Sequence, residues 1–432
     1  MSKLQFETVE SGNIRVHVCS TDKFKTNMMS VMIQQDLTPA TVTRHALLPS
    51  VLQRGTESLP STIQLKRQLD ELYGAALFGD VFKRGERHIM QIGLDIANEQ
   101  YLHETSSLLE EGVAFLGNVL YRPLMEGEGF KESYVQAEKK NLSQKIESLM
   151  DDKIRYAAHR CIAEMCKGEP FSLFNHGQQE DLDNIDSRNL YTYYRELLES
   201  RPMDLYFVGN VATESILKLV EKHFPSGKEE RQPVSVGEVV HPVQQVKEVT
   251  DRLNVKQGKL NMGCRTQISI RDQEYIPLLV YNGILGGYPH SKLFVNVREK
   301  ASLAYYASSG LESHKGILTV QSGVEIDNFS KAVDIIRKQF ELMAKGEITD
   351  NELSQTKAML TNQLKEQQDR AQDLVHSHYQ SILSGVDRPL DEMIEQVHRV
   401  DREEIQKVAK KVQLDTIYYL RNQGEGGFDG TD

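Results

Sequence analysis

The chain repeats itself. Tyr73-Gly-Ala-Ala-Leu-Phe-Gly leads to Arg87-His-Ile-Met-Gln-Ile-Gly-Leu-Asp-Ile-Ala-Asn in the first half. Leu303-Ala-Tyr-Tyr-Ala-Ser-Ser-Gly leads to Gly316-Ile-Leu-Thr-Val-Gln-Ser-Gly-Val-Glu-Ile-Asp-Asn in the second. Gly93-Leu-Asp-Ile aligns with Gly323-Val-Glu-Ile, an offset of 230 positions. Self-similarity on this scale restricts the fold to two copies of one unit. In each copy the two alternating segments read as a β-hairpin. Two long amphipathic helices follow, over 101–120 and 127–150 in the first copy and over 328–345 and 349–370 in the second. In the last of these, Leu353, Ala358, Leu360 and Leu364 share a rough helical face. Each copy closes on a strand-like run: Asp204-Leu-Tyr-Phe-Val-Gly-Asn-Val before a helix at 212–224, and Thr416-Ile-Tyr-Tyr-Leu-Arg. Strands and helices grouped in this way predict an α+β fold, with antiparallel sheets covered by helices.

Residues 225–247 carry three prolines, mixed charge and little periodicity, which is the composition of a linker. The organisation is therefore an N-terminal half over 1–228, a linker over 229–247 and a C-terminal half over 248–423. The glycine-rich, acidic residues 424–432 read as a disordered tail. No apolar run reaches the ~18 residues of a membrane span, and the first residues lack the apolar stretch of a signal peptide, so a cytoplasmic location is expected. The net charge of −11 comes without a basic stripe, which disfavours nucleic acid and anionic membrane as partners. The four cysteines form no C-x-x-C and read as reduced, buried thiols.

The chemistry scan is mostly negative. Among thirteen histidines no two lie three, four or five apart, so no helix offers two imidazoles on one face. His376 and His378 diverge by about 200° on a helix and cannot share an ion. No Walker loop, dinucleotide-binding glycine pattern or nucleophile elbow occurs. One stretch stands out: Gly286-Gly-Tyr-Pro-His-Ser-Lys-Leu-Phe-Val-Asn-Val-Arg-Glu-Lys-Ala-Ser-Leu-Ala-Tyr-Tyr-Ala, read as a glycine turn, a helix and a strand.

In that stretch Ser291-x-Leu-Phe-x-x-Val-Arg-Glu-Lys-x-x-Leu-Ala-Tyr resembles the C-terminal signature of the insulinase/pitrilysin clan of zinc metallopeptidases, in its mitochondrial-processing-peptidase-like branch. Val208-Gly-Asn-Val resembles the usual end of the first half, and Leu279 to Gly287 the helix and Gly-Gly turn before the signature. The resemblance implies two homologous halves arranged as a clamshell. It also implies an inverted zinc motif H-x-x-E-H on a first-half helix, with a further glutamate on the next long helix. From the second half it implies an arginine and a tyrosine that hold the substrate backbone; they map onto Arg298 and Tyr305.

The chain departs from this pattern at the metal. Counting back from Gln53-Arg-Gly-Thr56 places the five motif positions on Ala46, Leu47, Leu48, Pro49 and Ser50. His45 lies one position out, about 100° around a helix. The distal glutamate position falls on Lys145, with Glu138 or Glu147 as alternatives. Catalytic zinc requires three protein ligands and a water, and loss of a general base alone costs about 10²–10⁴-fold. The expectation is thus a chain without metal and inactive by itself. It would bind peptide and use Arg298 and Tyr305 to complete the site of a zinc-bearing homologous subunit, in a heterodimer. The alternatives are a scaffold or assembly protein with no role in proteolysis, and an independent metallopeptidase with relocated ligands.

Overall fold

The computed structural model describes residues 4–102, 107–225, 227 and 231–423. The segment read as a disordered tail lies outside these residues, as do residue 228 at the end of the N-terminal half and 229–230 at the linker's start. The first sheet contains β1 (Glu7–Ser11), β2 (Ile14–Ser20), β3 (Thr26–Asp36), β4 (Ala76–Arg84) and β5 (Arg87–Ala97). After a two-stranded turn of β6 (Met125–Glu126) and β7 (Gly129–Phe130), β8 (Met203–Gly209) completes it. The second sheet contains β9 (Lys247–Arg252), β10 (Gly258–Arg265), β11 (Ala304–Glu312), β12 (Ile317–Val324) and β13 (Gln413–Arg421).

The strand orders are β4-β5-β3-β8-β2-β1 and β11-β12-β10-β13-β9. Removing β1 makes them the same order. Both are antiparallel except at one matching pair, β2 with β8 and β9 with β13. The predicted α+β class, with antiparallel-rich sheets covered by helices, is the one observed. The helix expected over 101–120 runs from Leu108 to Tyr121, and those expected over 127–150 and 328–345 span Glu132–Asp151 and Phe329–Lys345.

The repeat extends to single contacts. Phe78 pairs with Gly93 across β4 and β5, and a Cβ on Gly93 would fall 2.3 Å from the Phe78 ring. A Cβ on Gly323 of β12 would fall 2.6 Å from the ring of Tyr306 on β11. Each sheet thus lays an aromatic ring over the glycine of the neighbouring strand, which keeps that glycine from leaving a hole. The aligned glycines are selected by this close approach.

Contacts divide the chain into two compact units. Of the described residues, one takes those up to 147, those within 173–236 and 368–379; the other takes 148–172, 237–367 and 380–423. Each has its own apolar core, centred on β3 and β5 in the first unit and on β10 and β12 in the second. Each sheet is also covered by a helix encoded in the opposite half of the sequence. Ala157 and Cys161 of the helix Lys153–Met165 pack on Tyr418 and Leu420 of β13. In the first unit the helix beginning at Ala371 places His376 against Phe82 of β4 and brings His378 Nδ1 within 3.1 Å of the Tyr206 hydroxyl of β8. No described helix is long and apolar enough to cross a membrane.

Candidate functional site

The signature stretch folds into closely packed turns. The helix Tyr275–Asn282 passes into a π-helical turn, Gly283–Gly287, where a Cβ on Gly286 would fall 2.6 Å from the Ser309 amide nitrogen. A second π-helical segment, Phe294–Lys300, carries Arg298. Arg298 is exposed and its guanidinium lies over the ring of Phe294, 4.6 Å from the centre. Among the described residues it has no carboxylate within ion-pair distance. Ser302 then takes a left-handed conformation, φ 53°, and the Leu303 amide closes the turn by donating to the Val297 carbonyl at 3.1 Å. A non-glycine residue in this region marks a turn the surroundings enforce.

The strand that follows is irregular. Ala304 pairs with Val324 and Ala307 with Ser322, so Tyr305 and Tyr306 together oppose Gly323. This is a β-bulge, and an extra residue of this kind re-aims a side chain. Tyr305 is 73% exposed, whereas Tyr306 covers Gly323. An arginine serving a structural role would be paired with an acid, and a structural strand tyrosine would be buried. Neither description fits Arg298 or Tyr305.

The first unit serves as an internal control. There Gly74, φ 73°, occupies the place of Ser302, and the Ala75 amide donates to the Leu69 carbonyl at 2.9 Å. The matching turns and the Phe78–Gly93 contact fix the equivalence residue by residue. Asp70 stands where the second unit has Arg298, and Leu77 where it has Tyr305. The two copies therefore share the scaffold and differ in the exposed groups.

The positions expected to have lost zinc ligands lie in the first unit. Ala46, Leu47, Leu48 and Pro49 are buried in the helix Val42–Leu52, and Ser50 is half-buried. Pro49 sits inside that helix, with its Cβ 3.3 Å from where a Cβ on Gly79 of β4 would be. His45 is fully buried, with Nδ1 3.0 Å from the Tyr193 hydroxyl and its ring 4.6 Å from that of His88. Burial and then the Arg201 charge push its imidazole down to about 3, so it is neutral at neutral pH.

Lys145, on the helix Glu132–Asp151, places Nζ 3.1 and 3.3 Å from the two carboxylate oxygens of Asp80. His176 Nε2 lies 3.4 Å from the same carboxylate. Burial alone would raise the Asp80 carboxyl. The contact with His176, the Val81 amide and Lys145 outweigh it and hold the group well below the usual carboxylate range. Glu138 is buried and ion-paired with Arg54. Glu147 is exposed and accepts from the Ser143 hydroxyl at 3.2 Å. Gly79 and Asp80 are successive on β4, where side chains alternate between faces, so the Pro49 helix and Lys145 engage β4 from different sides. Among the described residues no three or more His, Cys, Asp or Glu side chains are grouped so as to hold a metal.

Sequence reasoning overlooked Tyr306 and Lys259. Tyr306 could have been found by pairing it with Phe78 across the repeat. Lys259 became visible once β10 was seen beside β12, with the lysine directly opposite Gly323.

A family model described as the peptidase M16 inactive domain matches residues 184–360. The chain is 43% identical over 412 residues to a Bacillus subtilis protein named "Probable inactive metalloprotease YmfF", an alignment covering 95% of this chain and 96% of that protein. It superimposes on the crystal structure of a conserved protein from Enterococcus faecalis with a TM-score of 0.89 and 32% identity, covering 98% of this chain and all of that one. It superimposes on a peptidase M16 inactive domain from Pseudomonas fluorescens with a TM-score of 0.78, covering 98% of this chain and 100% of that one. At 14% identity, this last match speaks to the fold alone.

Proposed function

The chain belongs to the peptidase M16 family and is an inactive homologue of its metalloproteases, and from that premise we propose that it is the peptide-holding partner of a zinc-bearing homologous chain. The observation that carries the reading is the asymmetry between the copies. The second unit presents Arg298 and Tyr305, both exposed and Arg298 with no acid paired to it among the described residues, where the first has Asp70 and Leu77. A guanidinium is a fixed fork of donors suited to carbonyl and carboxylate oxygens. A phenol donor placed beside a scissile carbonyl stabilises the developing oxyanion.

The residues of the first unit do not fit the family's zinc. Ala46 and Pro49 have no donor atom, Ser50 has a neutral hydroxyl, and the ammonium of Lys145 is already engaged with Asp80. No catalytic step is assigned to this chain alone, and on this reading zinc resides in the partner. A cytoplasmic location is part of the proposal, supported by four buried cysteines that form no disulfide.

The test is to co-purify the chain with its endogenous partner and follow peptide cleavage by the pair. Arg298→Ala and Tyr305→Phe are each expected to lower the rate at least tenfold, with the zinc content of the pair unchanged. Cleavage that survives both substitutions would assign the chain a scaffold role instead. Zinc bound stoichiometrically by the isolated chain would return it to the independent peptidases.

A further inference from the structure

In each unit the row of residues crossing the sheet at the aligned glycine lies on the face covered by the helix from the other half. In the first unit the row reads His17, Tyr206, Ser30, Gly93, Phe78. In the second it reads Asp251, Leu420, Lys259, Gly323, and then Tyr306 at the bulge. Ser30 is fully buried and accepts from the Gln91 side chain at 3.0 Å. Lys259, its counterpart, is half-buried.

The ammonium of Lys259 donates to Gln257 Oε1 at 2.7 Å and lies 5.9 Å from the centre of the Tyr306 ring. Gln257 is held in turn, its amide donating to the Gly323 carbonyl at 3.2 Å. Neither contact carries negative charge, and among the described residues no carboxylate stands within ion-pair distance of Nζ. Burial lowers the Lys259 ammonium from its usual value, which is the signature of a cation drawn out of water without compensation. Burial and then the field of Asp152 push the Tyr306 hydroxyl up to about 12, so it remains a donor at neutral pH. One oxygen of the Asp152 carboxylate, Oδ1, caps the helix by accepting from the Ile154 and Arg155 amides, both at 3.1 Å. A partly desolvated ammonium that faces an aromatic ring and an amide oxygen, with no carboxylate within ion-pair distance, lacks one component, an anion with acceptor oxygens.

We propose that Lys259 and Tyr306 form a carboxylate-binding subsite, which takes the C-terminal carboxylate or an acidic side chain of a peptide lying along the start of β11. The peptide's presence rests on the function proposed above; the carboxylate preference rests on the geometry of Lys259 and its contrast with Ser30. A charge-assisted hydrogen bond of this kind gives about tenfold in affinity.

Two measurements test this on the intact chain. Acylation of lysines by a water-soluble acetylating reagent, read by mass spectrometry, is compared in propionate and in chloride at equal ionic strength. Propionate is expected to slow modification of Lys259 several-fold and to leave the exposed Lys410 unchanged; equal rates at Lys259 would overturn the proposal. The second measurement is the fluorescence anisotropy of one labelled alanine–serine nonapeptide in four forms: a central Glu or Gln, with a free or amidated C-terminus. A carboxylate form is expected to bind about tenfold more tightly than its neutral counterpart, and the form showing the gain identifies the source of the carboxylate. That preference should vanish in Lys259→Gln and weaken in Tyr306→Phe, which keeps the ring over the ammonium. A preference that persists in Lys259→Gln, or peptides bound by the native chain with no preference for a carboxylate form, would refute the subsite. Protection by propionate with no binding of any peptide would leave the subsite standing and remove the peptide-holding function instead.

Discussion

Single residues carry most of what distinguishes the two copies. Arg298 for Asp70, Tyr305 for Leu77, Tyr306 for Phe78 and Lys259 for Ser30 add cations and phenol donors to one unit, and the backbone differs there only by the bulge at Tyr305 and Tyr306 and the π-helical segment that carries Arg298. If Tyr305 has no structural work, Tyr305→Ala should change the unfolding free energy by no more than about 0.5 kcal/mol, as urea denaturation can measure. A larger loss would make Tyr305 a packing residue. Buried histidines impose the opposite kind of constraint. His45 titrates at about 3 and His378 at about 4 in the folded chain, each lowered from 6.5 chiefly by burial. Above pH 6.5 the imidazoles are neutral in both states. As pH falls from 6.5 toward 4, the unfolded chain takes up protons that the folded chain refuses, so the folded state loses stability across that window. For the fully buried His45 the slope is about 1.4 kcal/mol per pH unit. His45→Gln, which can still bond Tyr193, should flatten the pH dependence of the urea midpoint between 6.5 and 4 by close to one proton. An unchanged slope would show that His45 is solvated in the native state.

The elements were legible in the sequence where a periodic pattern had a single meaning. The alternation around Gly93 and Gly323 specified both hairpins, whereas the ring that lies over each glycine became visible only with the strand pairing. The bulge at Tyr305 and Tyr306 was not legible, because one extra residue in a strand leaves the apolar pattern almost intact while reversing which side chain is presented. The π-helical segment Phe294–Lys300 was read as ordinary helix, and the one at Gly283–Gly287 as the end of a helix and a Gly-Gly turn, because the widened turn of a π-helix spans too few residues to leave a period of its own in the sequence. The helix Val42–Leu52 is the element on which the metal reading depends, and Pro49 makes it a poor helix by intrinsic preference. Replacing an interior proline by alanine gains about 3 kcal/mol in helix preference. Losing two buried methylenes takes back about 1.6 kcal/mol. Pro49→Ala should therefore raise the unfolding free energy by about 1 kcal/mol, seen as a higher thermal midpoint, without conferring zinc binding. A destabilised Pro49→Ala chain would mean that the ring's contact with β4 outweighs the helix defect.

At the scale of the molecule, the sequence revealed two copies but not which helix covers which sheet. Amphipathic periodicity shows that a helix has an apolar face; it carries no address for the sheet that buries it. The helix Lys153–Met165 lies in the first half of the sequence and packs on the second sheet, and the helix beginning at Ala371 does the converse. The exchange has an energetic consequence. Arg265, 2% exposed, has its guanidinium held by Glu169 at 2.5 and 3.1 Å and by Asp415 at 3.1 Å. Glu169 also meets Lys315 Nζ at 2.8 Å, and that lysine is fully buried. Asp251 of β9 is bonded by Arg160 at 2.9 Å. Residues 148–172 thus supply carboxylates and cations that the second unit cannot replace from its own half of the sequence. Removing one partner of a buried ion pair costs about 3–5 kcal/mol, a large share of the 5–15 kcal/mol that stabilises a domain. A chain cut between 236 and 237 should behave accordingly. The fragment 237–432 alone would leave Arg265 and Lys315 without Glu169, and the fragment 1–236 alone would leave Tyr206 and Phe82 uncovered. Each is expected to lack a cooperative thermal transition. Mixed in equal amounts they should associate one to one and recover a transition whose midpoint rises with concentration, because the exchanged helices now bind between chains. Two fragments that each melt cooperatively without the other would show that the exchanged helices are accessory to the folding of the units that contain them.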